Sequence, residues 1–328
     1  MKAVYINTFG PDLDLGIREC PDPEIKGETE VIVRVRAAGL NRADLLQARG
    51  LYPAPAGHSA NIPGLEFAGE VESVGGEVNN WKPGDRVFGI AAGESQAERL
   101  VTDASLLARI PDSLSFTEAA AVPEAFITAH DAMVTQGRLT SGDNVLIHAI
   151  GSGVGLAGLQ IAKSIGCFVI GTSRTADKLD KCREFGLDAG VTVSDPPIFE
   201  NLIGELTKNV GANVILDLVG AGYFEENMAS LALKGRLILV GLTSGTKADF
   251  NLATALHKRA TIIGTVLRAR SIEEKAEATV NFTRDIGPML KSGAVRPNVD
   301  RVFPAVDVKA AYVYLGSNAS FGKVVLEF

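Results

Sequence analysis

Four glycines crowd the segment VLIHAIGSGVGLAGLQIAK: Gly151, Gly153, Gly155 and Gly158. The residues before them, DNVLIHAI (143–150), form an apolar run of strand length. Those after, VGLAGLQIAKSIG (154–166), form an apolar helix that stops at Gly166. A strand, a glycine turn and a helix N-terminus bring backbone N–H groups and the positive end of a helix dipole to one point, which suits a pyrophosphate. Glycine serves there because the missing Cβ lets backbone and ligand come close. The spacing fits G-x-G-x-x-G on Gly153, Gly155 and Gly158, or a shifted register that uses Gly151; Ser152 and Val154 lie in the same loop. A dinucleotide with a free ribose 2′-hydroxyl is usually met by an acid about 20 residues on. Here the second strand, CFVIGTS (167–173), ends in Ser173 and Arg174, with Lys178 four residues beyond. A hydroxyl and two cations suit a 2′-phosphate, and the nearest acid, Asp177, already lies in the helix, so the expected cofactor is NADPH.

Other reactive side chains offer less. His130 and His148 are acid–base candidates, but His148 sits in a buried strand and reads as a satisfied core histidine. Cys20, Cys167 and Cys182 match neither a zinc site nor a disulfide framework, and read as reduced thiols of a cytoplasmic protein.

These residues need elements to position them. From residue 143 the rhythm is strand then helix: strands at 143–150, 167–173, 189–193, 212–219, 235–242 and 260–267, with helices at 154–166, 176–186, 199–208 and 223–233 between them. That alternation predicts a Rossmann-type doubly wound parallel sheet covered by helices. Gly241 and Leu242 fall at a strand end, where dinucleotides dock in such a sheet. The preceding stretch is β-rich, with strands expected at 31–37, 68–78, 83–89 and 104–111, and Gly/Pro punctuation that suggests a barrel-like module. A helix capped by Ser115 or Thr117 is broken or kinked at Pro123. After a helix at 272–292, β-like sequence returns and closes in KVVLEF. The expected organisation is a split module, 1–124 plus 268–328, around a dinucleotide-binding insert at 125–267. Net charge is −7 and the pI about 5.3, which gives no reason to expect nucleic acid or an anionic membrane surface. No N-terminal basic-then-apolar signal is visible, and no apolar run approaches a bilayer span.

The segments AAGLNRADLLQARGLYP (37–53), IPGLEFAGEVESVG (62–75), KPGDRVFG (82–89), AAAVPEAFITAHDAM (119–133), HAIGSGVGLAGLQIAK (148–163) and FGKVVLEF (321–328) together resemble the medium-chain dehydrogenase/reductase superfamily, in particular its quinone oxidoreductases. The resemblance implies a GroES-like catalytic domain split around a Rossmann domain, and dimers or tetramers that pair through the Rossmann sheet. Relatives that use catalytic zinc hold it with a Cys, a Gly-His-Glu turn and a later Cys. Here those first two positions read Asn41 and Gly64-Leu65-Glu66, and the four-cysteine structural lobe is missing, so no metal is expected. The resemblance places Asn41 near the nicotinamide, bonding a reacting carbonyl or water; the alternative is that it caps the helix begun by N-R-A-D-L-L. It places Tyr52 in a loop lining the acceptor pocket, where it stacks or donates its hydroxyl, or else only packs. Leu46 stands where some relatives carry a second tyrosine. Thr128 matches a position contacting the nicotinamide side, or back-bonds to its own helix. Val266, Leu267 and Arg268 resemble the segment running along the nicotinamide, and Asn318 one that reaches the cofactor. Arg268 and Arg270 read as steering phosphate or forming surface pairs, and Glu124 as capping backbone groups. A tyrosine that relatives place against the adenosine after the third strand is absent from GVTVSDPP.

Without a Lewis acid to lower an alcohol's pKa, the accessible chemistry is hydride delivery from NADPH to an electron-poor quinone or α,β-unsaturated carbonyl. The alternatives are an enoyl thioester reductase and a non-enzymatic NADPH-binding protein.

Overall fold

A computed structural model describes residues 1–328. In chain order the first segment gives strands β1 (Lys2–Thr8), β2 (Asp14–Glu19) and β3 (Glu30–Leu40), helix α1 (Arg42–Ala48), strands β4 (Glu66–Val74), β5 (Arg86–Ile90), β6 (Arg99–Asp103) and β7 (Leu107–Arg109), and helices α2 (Phe116–Ala119) and α3 (Pro123–His130). Next come β8 (Asn144–Ile147), α4 (Gly153–Ile165), β9 (Phe168–Ser173), α5 (Ala176–Cys182), β10 (Ala189–Thr192), α6 (Glu200–Leu206), β11 (Ala212–Asp217), α7 (Phe224–Ser230), β12 (Leu231–Leu239), α8 (Leu252–Lys258) and β13 (Thr261–Gly264). The last segment holds α9 (Ile272–Ser292), β14 (Val299–Pro304), α10 (Val308–Gly316) and β15 (Lys323–Glu327).

The chain forms two compact units, one of residues 1–127 and 267–328, the other of residues 128–266. The discontinuous unit is built on a seven-stranded sheet ordered β14-β15-β3-β4-β5-β7, with β6 also paired to β3. β3 shows why. Val31, Val33 and Val35 alternate inward with period two, and its last four residues, Ala37–Leu40, are all buried. β15 runs antiparallel to that buried end, with Val325 opposite Gly39, so the C-terminal strand closes on the N-terminal segment. Val4, Ile6, Leu40, Leu45, Tyr312, Val324 and Leu326 share one core, so both segments are needed to complete it.

The insert carries six parallel strands ordered β10-β9-β8-β11-β12-β13. The strand order reverses between β8 and β11, and the C-terminal ends flanking such a reversal form the ligand crevice of doubly wound sheets. Its core joins Leu146, Ile170, Val191, Phe199, Ile203, Ile215, Met228 and Leu237.

Some elements depart from the sequence reading. The strand expected over 104–111 opens instead as a 3₁₀ turn at Ala104–Leu106, because the Asp103 carboxylate captures the Ser105 N–H at 2.9 Å. The helix expected over 223–233 ends at Ser230, and Leu231 and Ala232 already belong to β12. An apolar L-A-L run has no periodicity that separates a buried strand from a helix end. Pro123 does interrupt the helix, as the first residue of α3, where its missing N–H costs nothing; Ser115 and Glu118 form a capping box on α2.

Candidate active site

In the insert, the candidate dinucleotide site begins where β8 ends. The chain turns through His148–Ser152 and enters α4 at Gly153, with Ser152 as N-cap, its Oγ accepting the Gly155 N–H at 3.1 Å. A Cβ on Gly155 would lie 2.6 Å from the carbonyl oxygens of Ala149 and Ile150, so only glycine lets the turn fold this tightly. Gly151 and Gly155 are buried, while Ser152, Gly153 and Val154 are half-exposed. The Gly153 and Val154 N–H groups stand in the first turn, at the positive helix end, where backbone donors are left over for an anion.

At the end of β9, Ser173 is buried and its Oγ accepts the Thr175 N–H at 3.2 Å. Arg174 is exposed and Lys178 half-buried one turn into α5. Asp177 pairs with Lys181 of its own helix at 2.8 Å, which directs the nearest acid along the helix surface. Gly241 and exposed Leu242 follow β12, and exposed Val266 follows β13, at the C-terminal edge of the sheet. Thr128 is half-buried in α3.

His148 is a core histidine with both nitrogens engaged: Nδ1 lies 2.8 Å from Thr172 Oγ1 and Nε2 2.5 Å from Asn227 Oδ1. Asn227 donates its amide to the buried Asp217 carboxylate at 3.1 Å, so its oxygen faces the histidine and Nε2 carries the proton. Burial pulls the imidazole pKa down, favouring the neutral ring. The sequence reading missed Tyr223. It belongs to a 3₁₀ turn after β11, with its ring 4.9 Å from His148 and 5.5 Å from Phe199. Burial raises its phenol pKa, and the charge of Arg174 lowers it in part. Nothing local in GAGYF marks it; only the strand order brings the end of β11 beside that of β8.

The discontinuous unit holds its own group of candidate residues. Asn41 precedes α1, and its backbone N–H donates to Asp44 Oδ2 at 2.7 Å, an exchange typical of a helix start. Its side chain is used elsewhere: Nδ2 donates to Glu66 Oε1 at 2.8 Å, and Oδ1 accepts from Lys323 Nζ at 2.6 Å. Glu66 is wholly buried, pairs with Lys323, and accepts the Glu124 N–H at 2.9 Å. Lys323 spends its third donor on the Leu40 carbonyl at 2.8 Å. Glu124 thus contributes its backbone N–H to the network, and burial together with the Glu66 charge pushes its carboxyl up to about 8. Burial likewise pushes Asp44 up to about 7.

Arg268 departs from the surface reading. It is only 4% exposed; Nε donates to the Ala92 carbonyl and an Nη to Gln47 Oε1, each at 2.7 Å, and the guanidinium lies 5.0 Å from the Tyr52 ring centroid. The structure therefore brings Tyr52 and Arg268 together, with α1 supplying Gln47. Buried Leu267 precedes it. Asn318 takes a left-handed conformation and accepts from Arg42 through Oδ1.

The donors here do not fit a metal ion. Around Asn41 an ammonium bonds the amide and pairs with Glu66, and a cation bound there would face that charge. No group of three or more His, Cys, Asp or Glu side chains is arranged to hold a metal.

Comparison with known proteins agrees with this architecture. A family model described as "Alcohol dehydrogenase GroES-like domain" matches residues 27–132, and one described as "Zinc-binding dehydrogenase" matches 153–283. Quinone oxidoreductase-like protein 2 of Rattus norvegicus is 31% identical over 312 residues, covering 93% of this chain and 86% of its own. The quinone oxidoreductase of Pseudomonas aeruginosa is 31% identical over 326 residues, 99% of each chain. A mycobacterial protein solved in complex with NADPH superposes with a TM-score of 0.89 at 29% identity, over 100% of both chains. The chain belongs to the medium-chain dehydrogenase/reductase superfamily and is similar to its quinone oxidoreductases.

Proposed function

We propose that this chain is an NADPH-dependent reductase of quinones or related α,β-unsaturated carbonyls, and that it works without zinc. The observation that carries the reading is the Asn41 site, where an amide is held between the Lys323 ammonium and the Glu66 carboxylate and no set of metal-ligating side chains converges. The likeness to quinone oxidoreductases and to an NADPH complex supports it, as do exposed Arg174 and half-buried Lys178 where an acid would favour NAD.

In this reading the insert binds the dinucleotide. The Gly153 and Val154 N–H groups would hold the pyrophosphate, and Ser173, Arg174 and Lys178 would hold the 2′-phosphate. Bound NADPH supplies a hydride. The Asn41 amide N–H would stabilise negative charge developing on the conjugated carbonyl oxygen of an acceptor. Tyr52, braced by Arg268, stacks against the acceptor, and the proton that completes reduction comes from solvent. The cytoplasmic reading rests on three free cysteines, of which Cys167 and Cys182 have thiols pushed up by burial to about 11 and about 12. No helix is long and apolar enough to cross a membrane.

The test is NADPH and NADH oxidation against a panel of quinones, enones and crotonyl-CoA, with zinc content measured in the same preparation. Turnover of quinones or enones with NADPH, at far less than one zinc per chain, is expected. Turnover of crotonyl-CoA alone makes it a thioester reductase. Tight NADPH binding with no acceptor makes it a binding protein.

A further inference from the structure

A side-chain amide has two faces of opposite chemistry, and rotation by half a turn about its last bond exchanges them. At Asn41 that choice is made by two buried charges. Lys323 donates to Oδ1 at 2.6 Å, and Glu66 receives Nδ2–H at 2.8 Å. The reversed amide would set its oxygen against a carboxylate and its N–H against an ammonium, so this network admits one orientation. Each charge is in turn fixed. Glu66 also takes the Glu124 N–H at 2.9 Å, and Lys323 also bonds the Leu40 carbonyl at 2.8 Å. Gly39 opens the space, since a Cβ there would lie 2.3 Å from Glu66 Oε1 and 2.6 Å from the Ala120 carbonyl oxygen.

Burying an ion pair seldom stabilises a fold more than apolar packing of the same volume, so its use beside a reacting group calls for another reason. We infer that Glu66 and Lys323 are positioning residues that lock the Asn41 amide with its second N–H presented as a donor, which makes the site selective for acceptors that develop negative charge on oxygen. The inference rests on the proposed reduction of a conjugated carbonyl, but the orientation itself can be measured without turnover.

The test replaces both charges together, Glu66→Gln with Lys323→Met, so that neither is left buried alone. Glutamine offers both an oxygen and an N–H to Asn41 and no longer dictates which way it faces. We expect kcat for quinone reduction to fall about tenfold or more, with the NADPH Kd and Tm close to wild type. In an Asn41→Ala background the same pair of changes should cost nothing further, because the charges act through the amide. Lys323→Arg, which keeps a cationic donor, should retain most of the activity. In cofactor-free protein labelled with ¹⁵N-asparagine, the Asn41 side-chain NH₂ signals, identified by their loss in Asn41→Ala, should shift strongly in the Glu66→Gln/Lys323→Met variant. Unmoved signals, or an equal loss of kcat with and without Asn41, would overturn the inference. If wild type reduces no acceptor, the proposed function fails while the NMR comparison still decides whether Glu66 and Lys323 hold the Asn41 amide.

Discussion

At the entry to α5 one exposed guanidinium, that of Arg174, stands where the proposed function puts the 2′-phosphate. Asp177 is paired along its own helix, and Ser173 Oγ accepts the Thr175 N–H while its own O–H can still donate, which leaves Arg174 as the exposed charge at the strand end. A charge-assisted bond to a phosphate contributes about 1.5–3 kcal/mol. Arg174→Ala is therefore expected to raise the NADPH KM about tenfold or more and to leave that for NADH unchanged, as steady-state kinetics with both coenzymes would show. Asp44 offers a separate test through pH. Its carboxyl is pushed up to about 7 in the folded chain, against about 3.9 for an ordinary aspartate, so folding takes up a proton between those limits. The sign follows: this group's contribution is most favourable below about pH 4 and is lost as pH rises through 7. Asp44→Asn removes the proton dependence and keeps an oxygen for the Asn41 N–H. Its Tm advantage over wild type should be larger at pH 8 than at pH 5, and equal differences at the two pH values would refute the assignment.

Among the elements, β13 stands out as an edge. It pairs with β12 on one side only, and Ile262 on it, with Leu252 and Leu256 on α8, are exposed at 41%, 75% and 72%. An open strand edge flanked by apolar side chains is a template for pairing. We propose that a second copy of the chain pairs there, giving the dimer that the family resemblance leads one to expect. Ile262→Lys should convert the dimer to monomer in light scattering at micromolar concentration; a wild-type monomer would exclude the pairing. The sequence reads some elements better than others. The period-two valines of β3 and the capped start of α2 are visible because local spacing alone dictates them. β2, β6 and α8 escape a linear reading. β6, RLVTD, has weak alternation and owes its extended form to pairing with β3, a partner more than sixty residues away.

The molecule as a whole divides by where each core closes. The insert's core draws on residues between Leu146 and Ala260, so residues 128–266 expressed alone should melt cooperatively and bind NADPH weakly. The discontinuous unit cannot be cut in this way. Val308, Ala311, Tyr312, Val324 and Leu326 complete a core begun by Val4, Ile6, Leu40 and Leu45. Deleting residues 299–328 should abolish folding of that unit, seen as loss of protease resistance, while leaving the insert's transition in place.

The alternation of strand and helix, the glycine turn and the missing ligand residues are properties of neighbours in the chain, and sequence alone determined them. Steric need for a small residue at Gly155, and the cation following Ser173, act over a few bonds and leave their mark in a few letters. The environment of Asn41 was settled only by the tertiary structure. Its partners come from β4 and β15, 25 and 282 residues away, and antiparallel pairing of β15 with the end of β3 carries Lys323 to the amide. Burial decided the rest. Arg268 and Asp44 look like ordinary surface charges in the sequence, and their perturbed chemistry arises from the low-polarity surroundings that folding builds around them.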